Sequence, residues 1–219
     1  MRLTFLHKFY KRTPFTPNSI NTRVFSHTRT QTMKLPYADP SSPALTTPEA
    51  SAIVSRVRER RAPRPLQALD LTLLHAPPVA DGWNSFLGAI RTKTSLSDDV
   101  REIAICRVAV VNEAWYEWGH HAPLAKAAGV SEEGIKVLGA KDVEGEGVLS
   151  RKQWAVVRYT DAMTKSVKVP EGVFKELREV FSEREVVEIT ATVAAYNCVS
   201  RFLVALDVGE KNSITGPEL

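Results

Sequence analysis

Between Arg101 and His121 the chain concentrates side chains able to move protons or act as nucleophiles: Glu102, Cys106, Glu113, Tyr116, Glu117, Trp118, His120 and His121. Glu102 and Cys106 are four residues apart and share a face if the segment is helical. Glu117 and His121 do the same if the next helix has begun by Trp115. A carboxylate beside an imidazole orients the ring and raises its basicity. With Glu102 as a second carboxylate in an apolar pocket, the groups acquire separated pKa values, the arrangement from which a general acid and a general base are made. Pro123 opposes this spacing argument: if the helix starts only around Gly119–Ala122, Glu117 lies before it. Two other readings of the same residues stand beside this one. Glu117 and His121 can be a solvated ion pair, and Glu102, Glu117 and His121 can ligate a metal.

The walls of such a pocket would come from Tyr116, Trp118, His120 and Trp83, and from Asn197 and Arg201 on the last helix. The aromatic ones are also ordinary core residues. Arg201 stands among Ala, Val and Leu, where an unpaired guanidinium is costly. Either it pairs with an acid or it faces a cavity and meets an anion. Cys106 and Cys198 both fall in apolar helical runs and read as small buried hydrophobes.

Helices must position these groups. Thr46-x-x-Glu49 reads as a capping box opening a helix to about Arg61, closed by Pro63 and Pro65. A short apolar segment covers 66–76, and Val79, Trp83, Phe86, Leu87 and Ile90 recur at helical spacing after Pro77-Pro78. Ser97-Asp98-Asp99 starts a helix to about Asn112, and another stretch reaches Ala128 before Gly129. Ser131, Ser150, Pro170 and the capping box Ser182-x-x-Glu185 start four more, the last running to about Val208 with Gly209 as its stop. The glycine-bearing stretch 139–149 is a loop. No segment alternates with period two, so the fold class is all-α, one domain built on the 97–128 pair and the 182–208 helix.

Composition narrows the function classes. The chain has 219 residues, 43% apolar and 25% charged, as in globular proteins. No apolar run reaches the roughly 18 residues of a membrane span, and two cysteines without a CxxC exclude a disulfide framework or a four-cysteine zinc site. The net charge of +4 is uneven: residues 1–38 hold seven Lys or Arg and no acid, which leaves −3 on the remainder. The body therefore offers no electrostatic case for nucleic acid. Residues 1–35, rich in Arg, Ser and Thr, read as a transit peptide addressing the mitochondrial matrix, with a short amphipathic helix before Pro14 and a processing site near Arg23–Ser26. Initiation at Met33 would instead give a cytoplasmic form. Residues 36–48, with four prolines, read as a linker, 49–209 as the helical domain and 210–219 as a loose polar tail.

Arg101-Glu102-Ile103-Ala104-Ile105, Tyr116-Glu117-Trp118-x-x-His121 and Ala127-Ala128-Gly129-Val130-Ser131 resemble the carboxymuconolactone decarboxylase family, whose superfamily includes the alkyl hydroperoxidase D-type proteins. Phe181 through Glu185–Thr190 and Tyr196-Asn197 to Phe202 is similar to their C-terminal helix. The resemblance spans about 45–209. It implies an alkyl hydroperoxidase D-like helical fold assembling into homo-oligomers (dimers, trimers or hexamers). The hydroperoxidase branch carries Glu, eleven residues, Cys-x-His-Cys, three residues and His. On this chain the first Glu is Glu102 and the final His is His121, but the cysteine positions hold Ala114 and Glu117, and the intervening His is Tyr116. Without a nucleophilic and a resolving thiol, dithiol peroxidase activity is disfavoured. Glu102, Glu117 and His121 remain as proton-transfer groups. They imply cofactor-free, metal-free lyase-type chemistry on a small organic acid or lactone, with His121 as the acid, Glu117 tuning it and Arg201 holding a carboxylate. The competing expectations are a redox protein working through Cys106 and a non-catalytic helical oligomer that binds a small molecule or partner.

Overall fold

A computed structural model describes residues 33–217. The leader up to residue 32, with its expected amphipathic helix and processing site, lies outside the described residues. Nine α-helices make up the described part: α1 (Pro48–Arg61), α2 (Ala68–Leu73), α3 (Pro77–Thr92), α4 (Asp98–Val111), α5 (Trp115–Ala127), α6 (Glu132–Gly139), α7 (Arg151–Ser166), α8 (Glu171–Arg178) and α9 (Glu183–Leu206). Among the described residues there is no strand.

Local chemistry sets most helix ends. Ser150 and Ser182 each accept from the backbone N–H three residues on, and Gln153 and Glu185 reach back to complete capping boxes. At α1 the cap is Thr47, one residue later than the sequence suggests, and its hydroxyl accepts from the Ala50 N–H. Pro77 is tolerated as the first residue of α3 because an N–H there has no intrahelical acceptor. The helix α5 runs through Pro123, so Glu117 and His121 do lie on one helix. The last helix stops not at Gly209 but at Asp207, in the left-handed region at φ 54°.

At the centre lies α4, buried on every side, with Ile103 to Cys106 and Val108 to Ala109 fully enclosed. A helix enclosed over most of its length belongs in the middle of a bundle, and α5, α7 and α9 pack against it. Although α9 is long and apolar enough to cross a membrane by length and composition, Val186, Ile189, Val193, Val199 and Leu203 are spent in the same core. A smaller core joins Leu45, Val54, Leu73, Leu74 and Ala80 where α1, α2 and α3 meet.

The proline-bearing segment read as a linker is docked on this body, together with the last residues of the stretch 1–35 read as a leader. Met33 is buried, the Lys34 N–H bonds the Leu206 carbonyl, and the Tyr37 hydroxyl donates to Glu210 at 3.0 Å. The chain after α9 is held as well: the Asn212 side chain donates to the Val204 carbonyl. Gly209 lies at φ +76°, and a Cβ there would fall 2.2 Å from Tyr116 Cδ2. Gly209→Ala is therefore expected to destabilise by about 1–3 kcal/mol, through both backbone and overlap. Chemical denaturation would read this as a lowered midpoint at unchanged slope; an unchanged midpoint would show that the Tyr116 ring moves aside freely.

Candidate active site

Where α4 crosses α5, His121 Nδ1–H donates to Glu102 Oε2 at 2.6 Å. A carboxylate only accepts, so this bond places the proton on Nδ1. Nε2 makes no hydrogen bond with another described residue. Both side chains are buried. Burial pushes the His121 ring below the usual imidazole range, with Glu102 opposing the shift, so the ring is neutral at neutral pH. The Tyr196 ring of α9 meets the imidazole edge-on at 5.1 Å and buttresses it. The other carboxylate oxygen, Glu102 Oε1, is 3.5 Å from Arg101 Nε.

Glu117 does not take the part expected of it. Although it lies one turn before His121, its carboxyl is buried against α9, where Ser200 Oγ sits 3.1 and 3.0 Å from its two oxygens. The imidazole's carboxylate partner is Glu102, nineteen residues away. Burial without a cation raises the Glu117 carboxyl well above the carboxylate range. Below the ordinary carboxylate pKa both folded and unfolded chains hold the proton. Above it the unfolded chain releases a proton that the folded chain keeps, so stability falls as pH rises towards the raised folded value. Glu117→Gln removes that loss. Its melting temperature should exceed the parent's by a few degrees at pH 8, at about 2–4 °C per kcal/mol for this size, and the gap should close near pH 4.5. A gap constant with pH would contradict a protonated Glu117.

Glu102 lines a cavity of about 400 Å³ between the end of α1, α3, α4 and α5. Five arginines border it: Arg60, Arg61, Arg64, Arg91 and Arg101. Arg61 forms a buried bidentate pair with Asp70, at 2.7 and 2.9 Å. Arg60 joins the same carboxylate at 3.2 Å and also bonds Asn84. Arg101 holds Asp98 at 2.6 Å, while its Nε is buried without a hydrogen bond. The guanidiniums of Arg64 and Arg91 form no hydrogen bond or ion pair with another described residue. The cleft is thus electropositive, with one carboxylate of the buried pair on its wall. His121 is not on that wall.

None of the six expected wall residues lines this cleft. Trp118 is buried in the core beneath a second cavity of about 560 Å³ shared with Ala122, Pro123 and Ile135. Tyr116 packs over Gly209 and edge-on to His120, at 4.5 Å. Trp83 packs on Phe202, at 5.3 Å. Asn197 bonds Thr164 and Asn112. Arg201 neither pairs with an acid nor faces a cavity: it is exposed and folds back onto the Asn197 carbonyl and side chain. Cys106 is fully buried as expected, and burial raises its thiol further, away from the reactive thiolate. Cys198, expected inside, is exposed. Among the described residues no group of three His, Cys, Asp or Glu is arranged to hold a metal. The arginines are what sequence reading missed. Their signal was the run Arg56, Arg58, Arg60, Arg61, Arg64 in a body of net negative charge.

Residues 77–158 match the model of the carboxymuconolactone decarboxylase family. That span includes Arg91, Arg101, Glu102 and His121. No curated protein matches the chain significantly by sequence. Several solved structures share its fold. The alkylhydroperoxidase AhpD core of a peroxidase-related protein from Ralstonia eutropha JMP134 aligns with TM-score 0.67 at 18% identity, over 80% of this chain and 90% of that one. A protein of unknown function from Agrobacterium tumefaciens, assigned to AhpD-type antioxidant defence, gives 0.56 at 21%, over 62% and 92%. A variant of the debrominase Bmp8 in complex with 2,3,4-tribromopyrrole gives 0.60 at 16%, over 74% and 84%. At such identities the likeness is one of fold.

Proposed function

We propose, from the match of residues 77–158 to the model of the carboxymuconolactone decarboxylase family, that this helical protein is a cofactor-free acid/base enzyme of the lyase type acting on a small organic acid or lactone. The observation that supports it most is the Glu102–His121 hydrogen bond at the wall of an arginine-lined cleft. The arginines hold the anionic substrate and stabilise the enolate that forms when the carbon–carboxylate bond breaks and its electron pair moves into the conjugated carbonyl. Carbon dioxide leaves, and the carbanionic carbon takes up one proton. Glu102 delivers it: the His121 Nδ1 proton passes to Glu102 as Nε2 takes one from water, Glu102 donates into the cleft, the hydroxide left behind combines with the released carbon dioxide as bicarbonate, and the ring gives its Nε2 proton back to solvent as Nδ1 is reprotonated. Glu102 is thus the catalytic residue and His121 the residue that positions and recharges it. This reading moves the acid's role first expected of His121 to Glu102, leaves Glu117 out of the proton path and gives the anion-holding role of Arg201 to the cleft arginines.

The fold relatives named for peroxidase-related proteins carry a second reading, an antioxidant. The buried Cys106, with its raised thiol, weighs against that use here. Assembly into a homo-oligomer and a mitochondrial matrix location belong to the same proposal. The test is incubation of the purified protein with a panel of β-keto acids, unsaturated γ-lactone acids and simple carboxylic acids in D2O, followed by NMR. Release of carbon dioxide with one deuterium placed on the product carbon is the expected result. Absence of turnover across the panel, together with thiol-dependent hydroperoxide reduction, would replace the lyase reading with the antioxidant one.

A further inference from the structure

We infer that the arginine cleft is a phosphate site: the ligand it takes is a small molecule carrying a phosphate monoester. This deepens the acid/base reading above and rests on it only for what happens after binding. Charge is the first argument. Five guanidiniums border the cavity, and three carboxylates answer them: Asp98 and Glu102 on its wall and Asp70 behind it. Two positive charges are left over, and Arg64 and Arg91 are the arginines with no acid partner among the described residues. A phosphate monoester supplies close to two negative charges at neutral pH.

Geometry is the second argument. The three arginines not held by Asp70 come from three segments of chain. Arg64 lies in the turn after α1, Arg91 in the last turn of α3 and Arg101 in the first turn of α4. A carboxylate presents two oxygens in one plane and is satisfied by one guanidinium in fork-to-fork geometry. A phosphate monoester presents three terminal oxygens in three directions, which suits donors arriving from separate elements. Size is the third. A cavity of about 400 Å³ lies in the range of small-ligand sites and leaves room for an organic portion beside Glu102.

The test is isothermal titration of the full chain at fixed ionic strength with inorganic phosphate, glycerol 3-phosphate, succinate and acetate. Phosphate and glycerol 3-phosphate should bind, and acetate and succinate should bind at least ten-fold more weakly. Arg64→Gln and Arg91→Gln should each weaken phosphate binding by about ten-fold or more, the loss of one charge-assisted bond, with the ligand-free melting temperature unchanged. Arg91→Lys, which keeps the charge but loses the fork, should recover only part. Succinate binding as tightly as glycerol 3-phosphate, or full affinity in both Gln variants, overturns the phosphate assignment. Glu102→Gln separates the two proposals. Phosphate binding retained in that variant, with no turnover by the parent on any acid, would sink the lyase reading and leave the phosphate site standing. Turnover of an unphosphorylated acid that glycerol 3-phosphate does not inhibit would do the reverse.

Discussion

Glu102→Gln is expected to lower kcat by about 10²–10⁴-fold, the usual contribution of a positioned proton-transfer group, while leaving KM within a few-fold. The side chain keeps its volume and can still accept from His121 Nδ1–H, so the fold should survive with a near-parent melting temperature. What it loses is the ability to carry a proton from the buried ring to the cleft. His121→Ala should fall by a similar factor, because a relay fails when either member is removed, and the double variant should be little worse than either single one. His121→Ala should also change the pH profile, since its ring is the group that draws the proton from water. Glu117→Gln is the internal control. Its carboxyl is engaged with Ser200 on α9, so turnover should stay within a few-fold of the parent. Steady-state kinetics on the acid found to turn over would check all four variants. A Glu117→Gln loss as large as that of Glu102→Gln would return Glu117 to the proton pathway.

Arg107→Met should be the most destabilising change in the domain outside the apolar core. The guanidinium is fully buried on α4 and uses both sides of its fork. Nε and Nη2 donate to Asp161 of α7 at 2.8 and 2.7 Å, and Nη1 donates to the carbonyls of Leu138 and Ala140 at 2.6 and 2.7 Å. It therefore closes the end of α6 and ties α4 to α7 at once. Removing it strands a carboxylate and two carbonyls, for which a loss of about 3–5 kcal/mol is typical. Arg107→Lys should recover little, since an ammonium cannot match a bidentate carboxylate and two carbonyls together. Arg107→Met with Asp161→Leu should regain much of the loss, because no charge is then left unpaired. Denaturant unfolding of the three variants reads this directly. A loss under about 1 kcal/mol for Arg107→Met would mean that Lys165, 3.4 Å from Asp161, already satisfies that carboxylate.

The all-α class, the order of the helices and most of their ends were legible in the chain itself. Serine caps, capping boxes and prolines at first turns are local devices, and their partners lie within three or four residues. The 3.6-residue apolar period that marks α3 is equally local. So was the absence of the paired thiols, which is a matter of residue identity. Position within four residues also placed Glu117 and His121 on one helix face, and that much is true of α5.

Which carboxylate meets the imidazole was decided by packing. With α4 against α5, Glu102 reaches His121 from another helix, while α9 supplies Ser200 to Glu117. A spacing rule sees only neighbours on the same helix and is silent about a side chain nineteen residues away. The same limit hid the cleft. Arg64, Arg91 and Arg101 are separated by 27 and 10 residues, and nothing local tells that their guanidiniums border one cavity. Cys198 and Arg201 show the converse: a long apolar helix in sequence presents one face to solvent once its neighbours are in place, and residues expected inside are left outside. Secondary structure here follows from interactions a few residues long, whereas the site is made by helix–helix contacts, whose partners only the tertiary fold selects.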